Sequence, residues 1–116
     1  MFTEDDFIRG LQQGYQECAA WADAPEGEEH EGFSAAFLEQ ADSDCRAFFE
    51  ANKALLRESG LHPDHAGHDF WLTRNRHGAG FWDRGLGDVG QALTDAAYAY
   101  RELNLYIGDD KLLNAE

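Results

Sequence analysis

Apolar residues near the start of the chain recur at intervals of three or four positions. The members of this first stripe are Phe7, Leu11, Tyr15, Cys18 and Ala22. Because residues three or four apart share one face of an α-helix, the pattern predicts a helix over Glu4–Ala22. Thr3 stands where an N-cap belongs, and Asp6 three residues later completes an approximate capping box.

A second, longer stripe with helical spacing follows an acidic loop over residues 23–32. Its members are Leu38, Ala41, Cys45, Phe48, Phe49, Leu55 and Leu56. This spacing predicts a second helix that begins near Ser34. Gly60 is placed to end the helix in the left-handed conformation, and Pro63 should prevent the helix from resuming.

The period changes in the stretch HDFWLTRNRHGAGFWDRG, which runs from His68 to Gly85. Two aromatic segments, Phe70–Thr73 and Phe81–Trp82, favour strands and are separated by a short loop that contains Gly78 and Gly80. The pattern predicts a β-hairpin in which the glycines supply the unusual backbone angles of the turn.

The C-terminal part predicts one more helix and one more strand. The helical stripe comprises Val89, Leu93, Ala96, Ala97 and Tyr100, and the strand is LYIGDD, Leu105–Asp110. A right-handed crossover through the third helix would place the last strand beside the first hairpin strand. We therefore expect an α+β fold, with a three-stranded sheet packed by helices, in a single domain over residues 1–116.

Composition supports a folded chain and adds a strong negative charge. Apolar residues make up 43% of the sequence, and the formal net charge is -14. The first fifty residues carry most of it, with thirteen acids against two arginines. A direct nucleic-acid binder needs a basic footprint, so we expect no direct binding to DNA or RNA. An acidic face can instead bind a basic surface on another protein.

The sequence also bears on compartment. It contains no apolar run as long as a membrane helix requires, so we expect no membrane partner. The opening residues MFTEDDFIRG are acidic and lack the basic start and apolar block of a secretory leader. Cys18 and Cys45 both fall on predicted helix faces, which favours an intracellular protein with two buried thiols.

Acidic residues of the N-terminal half form the first candidate site. They are Asp23, Glu26, Glu28, Glu29, Glu31, Asp42 and Asp44. Carboxylates spaced along a loop and a helix could imitate the phosphates of DNA and bind a basic groove. The alternative interpretation is a solvated acidic surface that only keeps the protein soluble.

The predicted hairpin contains the second candidate site. Arg74, His77, Asp83 and Arg84 could bind an anionic ligand or perform acid–base chemistry. The alternative interpretation is that Arg74, Arg76 and Arg84 pair with nearby carboxylates and stack on Trp71 or Trp82.

Two further motifs suggest cofactors but lack the context that each requires. GLGDVG, Gly85–Gly90, matches the dinucleotide-binding pattern, yet the strand predicted before it belongs to a hairpin and no repeated βαβ units exist. His62, His65 and His68 have ligand side chains, but Pro63 and Gly67 argue against one regular helix there. We therefore expect neither a metal nor an organic cofactor.

One long block of the chain resembles a known family. The residues AGHDFWLTRNRHGAGFWDRGLGDVGQALTDAAYAY, followed by LYIGDD, resemble small acidic proteins encoded by tailed bacteriophages and prophages. The likeness covers Ala66–Asp110 strongly and Asp44–Asn52 more weakly. The chain departs from that family at Arg76 and Lys111, where glycine is expected.

The resemblance implies ancestry without implying catalytic residues. Small acidic phage proteins without an active site often bind one protein of the host. We therefore expect a non-enzymatic protein that acts in the cytoplasm of an infected bacterium. It would bind and inhibit a host nucleic-acid-handling or defence protein with a basic surface. A small ligand-binding protein or enzyme, and a virion or assembly accessory, are the alternatives.

Overall fold

Four helices and two short strands make up residues 2–116, the part of the chain that the computed structural model describes. In chain order they are α1 (Glu4–Asp23), α2 (Ala35–Ser59), α3 (Pro63–Arg74), α4 (Asp88–Tyr98), β1 (Leu105–Ile107) and β2 (Leu113–Ala115). A 3₁₀ turn over Phe81–Asp83 lies between α3 and α4. Within this range no helix is both long and apolar enough to cross a lipid bilayer.

The predictions for α1 and α2 are confirmed, together with the signals at their ends. The hydroxyl of Thr3 accepts a hydrogen bond from the backbone N–H of Asp6 at 3.1 Å, and Ser34 caps α2 in the same way through Phe37. Gly60 follows α2 in the left-handed conformation with φ of 71°. Local capping chemistry therefore sets both boundaries of α2.

The predicted hairpin over His68–Gly85 is wrong. Its first segment is the C-terminal half of helix α3, and its second segment is the 3₁₀ turn over Phe81–Asp83. Pro63, expected to prevent a helix, is instead the first residue of one. Proline suits that position because its fixed φ is helical and its missing N–H would have had no partner there.

The reason for the error is that α3 is buried on nearly every side. Its buried positions are 63, 66, 67 and 69–74, so the helix has no continuous polar face. A helix that is surrounded by protein shows no amphipathic period, because apolar residues occur on all of its sides. Aromatic and β-branched residues then favour a strand on local preference, although tertiary packing determines the outcome.

The sheet has two strands, not the expected three. β1 and β2 are antiparallel, with Leu105 opposite Ala115 and Ile107 opposite Leu113. Phe33, just before α2, forms one parallel bridge to Leu113 on the other side of β2. The α+β class is therefore confirmed, and the predicted strand over Leu105–Asp110 is confirmed only for Leu105–Ile107. No residue of the predicted hairpin joins the sheet.

The tightest packing in the fold is between α1 and α3. A Cβ atom at Gly14 would lie 1.8 Å from the carbonyl oxygen of Asp64, and one at Gly67 would lie 2.1 Å from that of Leu11. Both glycines are helical, so they are required here for space and not for backbone angles. The missing side chains let the two helix backbones approach each other closely.

Aromatic rings fill the core on both sides of α3. The ring of Phe70 stacks on that of Phe48 from α2, with centroids 4.1 Å apart. Trp71 meets Tyr15 of α1 edge to face at 5.1 Å. These four rings are fully buried, and they join the three long helices through α3.

Among residues 2–116, two residues other than glycine adopt a left-handed backbone. They are Arg76, with φ of 60°, and Lys111, with φ of 65°. An L-residue pays a steric cost there that glycine does not. Arg76 lies just after α3, and Lys111 lies in the turn between β1 and β2. Both are the positions at which the phage family resemblance leads us to expect glycine.

We predict that Gly67→Ala destabilises the protein, although alanine is the better helix former. The added methyl group must displace backbone atoms of α1, so we expect the free energy of unfolding to fall by about 1–3 kcal/mol. Gly78→Ala is the control, because a Cβ there meets nothing within 4 Å and φ is not positive. Urea unfolding followed by circular dichroism measures both. Equal stability of the two variants would contradict the tight crossing.

We also predict that both cysteines are unreactive in the native protein. Cys18 and Cys45 are buried and free, and burial raises the pKa of both thiols, to about 12 for Cys18, where Asp23 adds to the effect. Iodoacetamide at about pH 8 should therefore modify the folded protein at least about a hundredfold more slowly than a free thiol. Mass spectrometry should show both cysteines labelled once denaturant is added. Rapid labelling before unfolding would contradict the burial.

Candidate functional site

Arg74, the first residue of the predicted ligand site, lies inside the core and is 2% exposed. Its Nη1 donates to a carboxylate oxygen of Asp44 at 2.6 Å and to the hydroxyl of Tyr15 at 3.2 Å. Its Nε and Nη2 both donate to the carbonyl of Arg101, at 3.0 and 2.7 Å. The guanidinium therefore ties α3 to α1, α2 and the segment before β1, and it is not available to a ligand.

The alternative interpretation of the arginines is confirmed for their pairing. Arg74 pairs with Asp44, and the guanidinium of Arg84 pairs with Asp69. Their aromatic neighbours differ from the expected tryptophans. The guanidinium carbon of Arg74 lies 5.2 Å from the ring centre of Tyr100, and that of Arg76 lies 3.7 Å from Tyr98.

Three of the seven acidic candidates have partners within the fold. Asp44 holds Arg74, and Asp42 pairs with Arg46 one turn further along α2. One oxygen of Asp23 accepts hydrogen bonds from the indole of Trp71 at 2.6 Å and from His77 at 2.9 Å. These carboxylates stabilise the fold, so they are less available to a partner than the sequence alone suggests.

The other four acidic candidates are exposed and form no ion pair. They are Glu26, Glu28, Glu29 and Glu31. Within residues 2–116 no ion pair involves any of them. Lys111 is joined to Glu31 by a backbone hydrogen bond, but its ammonium group is not paired with any of the four.

Backbone hydrogen bonds hold one end of this glutamate segment against the C-terminal strands. The N–H of Glu31 donates to the carbonyl of Lys111 at 2.8 Å, and the N–H of Leu113 donates to that of Gly32 at 2.8 Å. The same turn carries Asp109 and Asp110, which are both exposed. We call Glu26, Glu28, Glu29, Glu31, Asp109 and Asp110 together the acidic surface.

A second feature is a cleft of about 880 Å³ at the C-terminal end of α1. The side chains that matter for its chemistry are Trp21, His68, Leu72, His77, Ala79 and Arg84. His77 and Arg84 were predicted from the sequence, whereas Trp21 and His68 were not. His68 and Leu72 are four apart on α3, so one helical face supplies both. No sequence signal places Trp21 opposite them.

Arg84 is held at the cleft by a buried carboxylate. Asp69 is fully buried and receives the Nε of Arg84 at 3.1 Å and its Nη2 at 2.7 Å. This hydrogen bonding raises the pKa of the Arg84 guanidinium above its usual range. Asp83 is the remaining member of the predicted ligand site. It accepts a hydrogen bond from the N–H of Gly80 and supports the 3₁₀ turn.

The residues of the two cofactor motifs lie on or beside helices. His62 precedes α3, and His65 and His68 lie on it, so the expectation of an irregular segment there is wrong. In the described part of the chain no three histidine, cysteine or acidic side chains are grouped to hold a metal ion. Gly87, the residue immediately before α4, has a φ of 61°. The element that precedes the glycine motif is the 3₁₀ turn and not a strand.

We predict that Asp44 and Asp42 differ sharply when each is replaced by alanine. Asp44→Ala leaves the buried Arg74 without its counter-charge and should cost up to about 3–5 kcal/mol of unfolding free energy, less as far as water reaches the site. Asp42→Ala removes an exposed ion pair with Arg46 and one hydrogen bond from Gln12, and should cost no more than about 1–2 kcal/mol. Thermal and urea unfolding measure both. Similar losses in the two variants would contradict the structural role of Asp44.

Comparisons with protein-family models, curated proteins and solved structures found no match to this chain.

Proposed function

We propose that this protein binds a basic surface on another protein through its acidic surface. The observation that carries the proposal is the exposure of Glu26, Glu28, Glu29 and Glu31 without any cation paired to them. In the described part of the chain seven of the nine lysines and arginines pair with other carboxylates, even in the core. The glutamate segment is therefore a part of the molecule where negative charge is left for an external partner.

Two physical effects favour such a complex. The formal net charge of -14 makes the protein repel itself, and a basic partner relieves part of that repulsion. The field of the acidic surface also attracts a basic partner during diffusion and raises the association rate. Glu31 donates to the carbonyl of Lys111 and Gly32 accepts from the N–H of Leu113, and these hydrogen bonds hold one end of the segment, which lowers the entropy lost on binding.

The partner that best fits this chemistry is a protein whose basic groove ordinarily binds nucleic acid. Carboxylates in such a groove occupy the place of phosphates and exclude the nucleic acid. Together with the resemblance to phage proteins, this supports an inhibitor of a host nucleic-acid-handling or defence protein in the bacterial cytoplasm. We leave Asp23, Asp42 and Asp44 out of the contact surface because each has a partner within the fold.

We predict that neutralising the glutamate segment removes partner binding without unfolding the protein. The variant replaces Glu26, Glu28, Glu29 and Glu31 by glutamine. The control makes the same change in net charge elsewhere, with Glu17, Glu58 and Glu116 replaced by glutamine and Asp95 by asparagine. Bacterial proteins retained by the wild type at low salt are identified by mass spectrometry, purified, and titrated against all three proteins.

The segment variant should bind the captured protein at least about tenfold more weakly, and the control should bind within about twofold of the wild type. Raising sodium chloride from about 0.05 to about 0.3 M should weaken wild-type binding by a similar factor, because salt screens exposed charges. Equal losses in the two variants would indicate attraction by net charge alone. Undiminished binding by the segment variant would exclude the acidic surface as the contact.

A further inference from the structure

Nitrogen-bearing side chains converge in the cleft at the end of α1. His68, His77 and Arg84 line it, although the chain has only nine lysines and arginines and five histidines against 23 acids. The cleft volume, about 880 Å³, is in the range of small-molecule sites. None of the residues that line the cleft belongs to the acidic surface, so the proposed partner binding does not account for them.

Arg84 presents a fixed donor in this cleft. Its Nε and Nη2 are bound by Asp69, and its Nη1 has no hydrogen-bond partner among residues 2–116. Because Asp69 is fully buried and cannot move into solvent, the guanidinium is held in one orientation. A guanidinium fixed in this way suits a phosphate oxygen, since its planar donors match the geometry of an oxyanion.

Two histidines lie beside Arg84. The Nε2–H of His77 donates to Asp23, which fixes the ring, so its Nδ1, which has no partner among residues 2–116, is a donor only when the ring is protonated. No hydrogen bond within the described residues engages the ring of His68, which is partly exposed on α3. Imidazole nitrogens donate to anionic oxygens, and a protonated ring also contributes charge.

The carboxylates near the cleft are already bound. Asp23 accepts from Trp71 and His77 through one oxygen, Asp69 accepts from Arg84, and Asp83, 3.8 Å from the Nε of Arg84, accepts from the N–H of Gly80. Each of these carboxylates thus has a partner within the fold, whereas Arg84 retains a donor for an anionic ligand. The negative charge of the rest of the protein opposes an anion, but salt screens charges that lie more than about 8 Å away at physiological ionic strength.

The rest of the cleft is apolar and includes an exposed indole. Trp21 is 79% exposed, which is unusual for the largest apolar side chain, and Leu72 and Ala79 lie in the same cleft. A flat ring that stacks on Trp21 would cover this surface and gain both aromatic and hydrophobic stabilisation. The ligand that matches the whole cleft therefore has an anionic end and a planar end.

We propose that this cleft binds a small phosphate monoester attached to a planar ring. The phosphate lies among His68, His77 and Arg84, and the ring packs on Trp21. A nucleoside monophosphate and an aryl phosphate share this chemistry. The proposal does not depend on partner binding by the acidic surface, and either one can fail without the other.

The test titrates the ¹⁵N-labelled full chain with phenyl phosphate and follows amide chemical shifts. Inorganic phosphate supplies the anion alone, phenol the ring alone, and adenosine monophosphate the nucleoside form. Phenyl phosphate or adenosine monophosphate should saturate with a Kd below about 1 mM, and both single-part probes should bind at least about tenfold more weakly. The shifts should map to α3 and to the segment over residues 75–84.

Two histidines on one helix provide matched variants. His68→Ala should weaken phosphate-ester binding about fivefold or more, because a donor is lost. His65→Ala should change it less than twofold, because His65 is exposed on α3 but does not line the cleft. Trp21→Ala should weaken binding of phenyl phosphate but not that of inorganic phosphate. All three side chains lie outside the core, so the variants should fold.

Three results would overturn the proposal. The first is the absence of saturable shifts for both esters at about 10 mM. The second is binding of phenol as tight as that of phenyl phosphate, which would indicate an apolar site. The third is equal weakening by His65→Ala and His68→Ala, which would indicate attraction by charge without a defined site. Saturation by adenosine monophosphate alone would assign the site to nucleotides, and saturation by phenyl phosphate alone to aryl phosphates.

Discussion

The close crossing of α1 and α3 is the contact on which the other features depend. Gly14 and Gly67 let the two backbones meet with no side chain between them. At this separation the ring of Tyr15 reaches Trp71, and its hydroxyl reaches Arg74. A methyl group at either glycine would push the helices apart and disturb these contacts, since packed interiors have little room to adjust.

Several charged side chains on or next to these two helices are paired within the fold. Arg74 and Arg84 each satisfy a carboxylate in or beside the core, and Asp23 binds Trp71 and His77 at the end of α1. Several of the few cations are thereby engaged within the fold, and the glutamate segment has none. The buried charged groups are thus paired within the fold, whereas the exposed Glu26, Glu28, Glu29 and Glu31 form no ion pair among the described residues.

The sequence predicted helices α1, α2 and α4 and the strand β1 because each shows a periodic pattern or a local boundary signal. It failed at α3, where Phe70–Arg74 are buried all around and no polar face marks a helix. The sequence likewise identified only some of the residues that share one site. His77 and Arg84 do line one cleft, but Arg74 lies in the core. The Asp69–Arg84 pair spans fifteen positions of the chain and has no local signature.

The sequence by itself therefore determined the amphipathic helices, the caps at Thr3, Ser34 and Gly60, the two buried thiols and the excess of negative charge. These follow from residues close together along the chain, where side-chain period and backbone preference act directly. Only the tertiary structure decided that the aromatic segment is a helix, and which carboxylates are paired and which are free. Those outcomes depend on contacts between distant residues, where burial outweighs local preference because an unpaired buried charge is so costly.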